Sequence, residues 1–100
     1  MKIENPEMIV NFGALGYDAK KISGILGVSE IEIISELKDK DSELSKLIQK
    51  GADLSEYVID LKIFNLAKQG DMAAITLFEK RKEQRLKIAK SKQNISNYSE

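Results

Sequence analysis

The sequence predicts an all-α protein, with an N-terminal trihelical helix-turn-helix head followed by a long helical hairpin. Three observations predict it. Apolar residues recur every three or four positions from Met8 to Leu86, and no strand-like alternation of any length appears. The breaks between periodic segments fall on Gly, Asp and Ser, the residues that stop and start helices. The stretch Tyr17 to Leu37, YDAKKISGILGVSEIEIISEL, reads as two short helices joined by the tight turn Leu26-Gly27-Val28-Ser29. That is the sequence form of a helix-turn-helix, a shape that can set one helix in a DNA groove.

The elements follow in order. Asn5 as N-cap with Pro6 at the first helical position starts helix one, which carries Met8, Ile9, Phe12 and Leu15 and stops at Gly16. Asp18 caps helix two, with Ala19, Ile22, Ile25 and Leu26 inward and Gly27 supplying the positive φ of the turn. Small Ser23 and Gly24 are expected to let two helices cross closely, Val28 to plug the gap between them, and Ile33 to face helix two. Ser29 and Glu32 form a capping box that opens helix three, whose apolar side is Ile33, Ile34 and Leu37.

A polar joint over 38–42 follows, with Asp41 the expected cap of a long helix. That helix has Leu44, Leu47, Gly51, Leu54, Val58 and Leu61 at seam spacing. Gly51 costs about 1 kcal/mol relative to Ala, so a kink is expected near Gly51-Ala52-Asp53. Gly70 ends this helix and Asp71 caps the last, which carries Met72, Ala74, Ile75, Leu77 and Phe78. The resulting division is a head over 1–40, a hairpin over 41–90 that serves oligomerisation, and a flexible tail over 91–100.

Composition narrows the function. The 100 residues suit one domain, and 42% are apolar, enough for a modest core. No run of 18 apolar residues exists and the start, MKIENPEMIV, is no secretory signal, so no membrane partner is expected. There is no Cys and no His. A reducing, intracellular location is the simple reading, and the commonest metal ligand and general base is missing. No Gly-rich phosphate loop, zinc motif or nucleophile–base pair is present. An enzyme, a cofactor and a metal are therefore not expected. The net charge of zero is unevenly spread: residues 1–60 hold seven Lys/Arg and twelve Asp/Glu, and residues 61–100 hold nine and four. That asymmetry fits head-to-tail contact between subunits, nucleic-acid contact through the back half, or simply solvated helix faces.

Two sets of candidate site residues emerge. Lys20 and Lys21 can hold DNA phosphates while Ser29, Ser35 and Lys38 approach bases. Opposing this, helix three carries Glu30, Glu32 and Glu36, and its apolar pattern departs from the common repressor form at Glu36. Farther on, seven basic residues against two acidic between 79 and 92 form a phosphate-binding strip or a solvated helix end; Arg81, Lys82 and Arg85 lie in it. The second set comes from Tyr57 to Ala67, YVIDLKIFNLA, of which eight of eleven residues are apolar. Such a helix needs cover on most sides. Ile75 and Phe78 can cover one side, and the remainder, including Ile59, Ile63 and Leu66, points to a neighbouring copy or to the head folding back.

A head with GYDAKKISGILGVSE, a polar joint, and a long helix ending in KIFNLAKQGDMAAITLFEKRKE resembles the terminase small subunits of tailed bacteriophages. The resemblance covers about residues 8 to 86, and Ala67 to Arg81 is its more telling half. It implies a DNA-recognition component of a genome-packaging machine in the cytoplasm of a bacterial host. The head would bind double-stranded viral DNA, with Lys20, Lys21, Ser29, Ser35 and Lys38 on or near the DNA side. The hairpin would join copies into a homo-oligomer, with Tyr57, Leu61, Phe64, Ile75 and Phe78 in its core or its ring contacts. A terminase large subunit would be a further partner. Two features depart from the family pattern. The reading helix is acidic, and only a polar tail follows Lys90, so the segment that engages the large subunit is expected to be missing or reduced. Two other classes stay open: a small helix-turn-helix transcriptional regulator, and a non-catalytic interaction module in which the same shape only packs helices.

Overall fold

The computed structural model describes the backbone of residues 1–98 and the side chains of residues 1–90. The described residues are all-helical: α1 (Pro6–Leu15), α2 (Ala19–Leu26), α3 (Glu30–Lys38), α4 (Glu43–Lys68) and α5 (Met72–Tyr98). None of these helices is long and apolar enough to cross a membrane. The flexible tail expected over 91–100 lies outside the fully described residues.

Local capping chemistry sets the helix ends. The Asn5 side chain accepts the Met8 N–H at the start of α1, and that of Asp18 accepts the Lys21 N–H at the start of α2. Gly27 ends α2 at φ 69°, in the left-handed region where a side chain is strained. Two residues on, the Ser29 Oγ accepts the Glu32 N–H at 3.2 Å and opens α3. The cap of α4 differs from expectation: Ser42, not Asp41, accepts the Ser45 N–H (3.1 Å). The reason lies in the joint. Asp39 turns its carboxylate back to the Asp41 N–H, while the Ser42 and Ser45 hydroxyls both donate to the Glu36 carbonyl. These bonds add to the Asp39 N–H that the Glu36 carbonyl already accepts, and they bind α3 to α4.

The chain forms two compact units, Met1–Val58 and Ile59–Glu100. The division falls within α4, whereas the sequence reading divides the chain near residue 40. The first half of α4 belongs with the front unit because it supplies core. Ile9 and Phe12 of α1, Ile22 of α2, Ile33 of α3 and Leu44 of α4 are buried together, and Leu47 and Ile48 pack on them. Ile22 and Ile33 are 0% exposed, so α2 and α3 meet through their β-branched centres.

α4 runs unbroken through Gly51, and no break occurs at Gly51-Ala52-Asp53. The glycine has another purpose. A Cβ on Gly51 would overlap the Val10 carbonyl oxygen, and one on Gly13 would overlap the Ile48 carbonyl oxygen. The two glycines face each other's helices and let the α1 and α4 backbones touch, closer than any side chain permits. The close crossing expected at Ser23 and Gly24 is therefore found elsewhere. Gly24 has open space where its Cβ would be, and the Ser23 hydroxyl instead donates to the Val28 carbonyl across the turn.

The second unit is built differently. α4 ends at Gly70 (φ 91°), and the Asp71 carboxylate caps α5 by accepting the Ala74 N–H at 3.0 Å. The end of α4 and the start of α5 pack through Phe64 and Phe78, whose ring centroids are 5.5 Å apart. Ala74 is the one buried side chain of this unit among the described residues.

Candidate functional site

Two surfaces gather the residues singled out from the sequence. The first lies on α2 and α3. Lys20, Lys21, Ser29, Ser35 and Lys38 are all exposed. The Lys21 ammonium sits 4.4 Å from the centre of the Tyr17 ring, an attraction that steers the lysine without removing it from water. Ser29 has a structural duty as the α3 cap, so its hydroxyl lone pair is already engaged. Among the five, Lys20, Lys21, Ser35 and Lys38 keep their polar ends free for a partner.

α3 turns Ile33 and Leu37 inward, one helical turn apart. Its opposite side then carries Ile31, Ser35 and Lys38. Ile31 is 81% exposed, the most exposed large apolar residue of the described chain. Ile34, read as part of the apolar side, is also exposed. Sequence reading passed over Ile31, although the Ile33–Leu37 spacing was a signal that residue 31 lies on the far side.

The second surface is on the hairpin. Tyr57 (61% exposed), Ile59 (51%), Leu61 (42%) and Phe64 keep much of their area in water, whereas Ile63, Leu66, Ile75 and Phe78 are half-buried. Of the three residues the sequence singled out as the remainder, Ile59 is exposed and the other two are not. Ile63 and Leu66 are partly covered, while Leu54 and Val58, not singled out as uncovered, are exposed.

Arg81, Lys82 and Arg85 have specific environments. The Arg81 Nε donates to Asp60 Oδ1 at 2.6 Å, and Arg85 Nη2 reaches Asp60 Oδ2 at 2.6 Å. One carboxylate thus holds two guanidinium groups, spaced four residues apart on α5. Asp60 is only 25% exposed. It was missed in the sequence, yet it is the lone acid in the apolar run YVIDLKIFNLA. Lys82 extends past the Phe78 ring, 5.9 Å from its centre. The clasp holds two cations with one anion, so its local charge stays positive. Compared with models of known protein families, with curated proteins and with solved structures, the chain matches none.

Proposed function

We propose that this chain is a non-catalytic DNA-binding protein that acts as an assembly of copies, in the manner of a phage terminase small subunit recognising viral DNA for packaging. The observation that carries the reading is the α2–Gly27–α3 pair, closed on Ile22 and Ile33, with Lys20, Lys21, Ser35 and Lys38 all in solvent around it. In a helix-turn-helix of this kind, α3 approaches the groove while the α2 lysines neutralise phosphates. Lys20 and Lys21 supply charge, and Ser35 and Lys38 supply donors that reach base edges. Glu30 and Glu32 weaken the attraction of one copy, so function depends on several heads acting together. The exposed Tyr57 and Leu61, one turn apart on α4, support assembly, since copies joined there would present their heads as a group.

The test is duplex-DNA binding over a salt series, with the assembled mass measured by light scattering. Binding should weaken steeply with salt as counterions are released. Replacing Lys20→Glu and Lys21→Glu together should reduce affinity about tenfold or more at low salt. A flat, negligible signal at low salt for the assembled protein would overturn the reading. A stable dimer that binds DNA would favour a transcriptional regulator over a packaging component.

A second reading is favoured by Ile31. Together with exposed Ile34, one turn on along α3, it forms a contiguous apolar pair beside Glu30 and Glu32, and such a pair suits a protein contact. In that reading α3 meets another protein, and charge reversal at Lys20 and Lys21 leaves DNA affinity unchanged.

A further inference from the structure

We propose that the outer face of α3 docks on the basic face of α5 from a second copy, joining copies head to tail. The inference rests on the second reading, in which α3 meets a protein rather than DNA, and on the assembly of copies; it names an electrostatic contact surface distinct from the apolar residues of α4.

Charge complementarity selects this occupant. Met1–Val58 holds seven Lys/Arg against eleven Asp/Glu, and Ile59–Glu100 holds nine against five. The two units therefore carry −4 and +4. Two identical copies can satisfy both charges by meeting front to back, and they repel when meeting front to front.

The local chemistry matches as well. On α3, exposed Ile31 and Ile34 stand between Glu30 and Glu32, with Asp39 and Asp41 just beyond the helix. On α5, Leu77, Lys80, Gln84 and Ile88 follow one another at spacings of three, four and four, which puts them on one face. All four are exposed, and Lys87 adjoins them. Each surface thus has an apolar centre beside charged residues, net acidic on α3, where Lys38 and Lys40 offset part of the charge, and net basic on α5, where Glu83 pairs with Lys87 at 3.4 Å. The apolar centres exclude water on contact, while the charged borders set register and orientation. The contact uses different patches on the two partners, so repetition generates a ring if the rotation closes and a filament if it does not.

The experiment is a charge exchange on the full chain. One variant carries Glu30→Lys and Glu32→Lys, and the other carries Lys80→Glu and Lys87→Glu. None of the four positions is among Lys20, Lys21, Ser35 and Lys38, the residues to which the proposed function gives DNA contacts. Circular dichroism checks that each variant keeps wild-type helix content, and Glu30→Gln with Glu32→Gln offers a milder change should the lysines unfold α3. The assembled mass is measured against concentration and salt by light scattering.

Wild-type assembly should weaken as salt rises, because exposed charges are screened beyond about 8 Å at physiological ionic strength. Either variant alone should need about tenfold more protein to assemble, and an equimolar mixture should recover much of the lost mass as an alternating pair. The inference is overturned, with the assembly reading intact, if the wild type assembles and neither variant shifts its mass. It is overturned in favour of a DNA-facing α3 if Glu30→Lys with Glu32→Lys leaves the mass unchanged and strengthens duplex binding. A wild type that stays a single subunit at every concentration removes both readings.

Discussion

The two units of this chain bury their apolar residues in different ways. In Met1–Val58, four helices converge, and Ile9, Phe12, Ile22, Ile33 and Leu44 disappear from solvent together. In Ile59–Glu100, two helices lie side by side and only Ala74 is buried among the described residues. Two rods in contact can cover only one face of each. Short helices meeting at angles enclose a volume. Each fully buried Ile or Leu contributes about 1.5–3 kcal/mol, so the front unit carries its own stability. The rear unit relies on a half-covered aromatic pair, an Arg–Asp–Arg clasp and whatever covers its outer face. A similar supply of apolar residues thus makes a closed core in one place and an available surface in the other.

The contrast can be broken most forcefully at the glycine contact of the front unit. Gly51→Val drives a side chain into the Val10 carbonyl, and neither backbone can retreat without opening the core. A cost of about 3 kcal/mol or more is expected, read as loss of the folded state in urea or thermal unfolding. A variant as stable as wild type would show that α1 and α4 do not touch.

Next in size is a matched pair of truncations. Ile33→Ala in the closed core should cost about 2–5 kcal/mol, with a cavity left behind. Phe78→Ala, removing a larger side chain from the open unit, should cost less than that range, because its site is already partly wet. Equal losses in denaturant midpoint would mean that the rear unit is as well covered as the front, as tight assembly would make it.

The smallest effect is at the clasp. Asp60→Asn leaves Arg81 and Arg85 without their carboxylate, but both guanidinium groups already reach solvent. A loss of about 1 kcal/mol or less is expected, and high salt should shrink the difference between variant and wild type. A loss of several kcal/mol would make the clasp, rather than Phe64 and Phe78, the main support of the rear unit.

Local chemistry was legible in the sequence. Asn5, Asp18, Ser29 and Asp71 announce four helix starts, and Gly16, Gly27 and Gly70 announce three ends, because capping needs only a few neighbouring residues. The all-α class follows from the apolar period for the same reason. The roles of Ile22 and Ile33 could also be read, since each lies at the centre of its helix's apolar face.

What depends on a distant partner could not be read. Gly51 looks like a flaw in α4 until Val10 is found against it, forty-one positions earlier in the chain. Asp60 looks like a surface acid until two arginines more than twenty residues later close on it. Ile34 looks like core until Ile33 and Leu37 have taken the inward places on α3. Sequence by itself determined where α1, α2, α3 and α5 begin and where α1, α2 and α4 end, and that the hairpin is richer in apolar residues than one neighbour can cover. Only the tertiary structure decided which faces close, because a periodic helix offers several sides and packing geometry chooses among them.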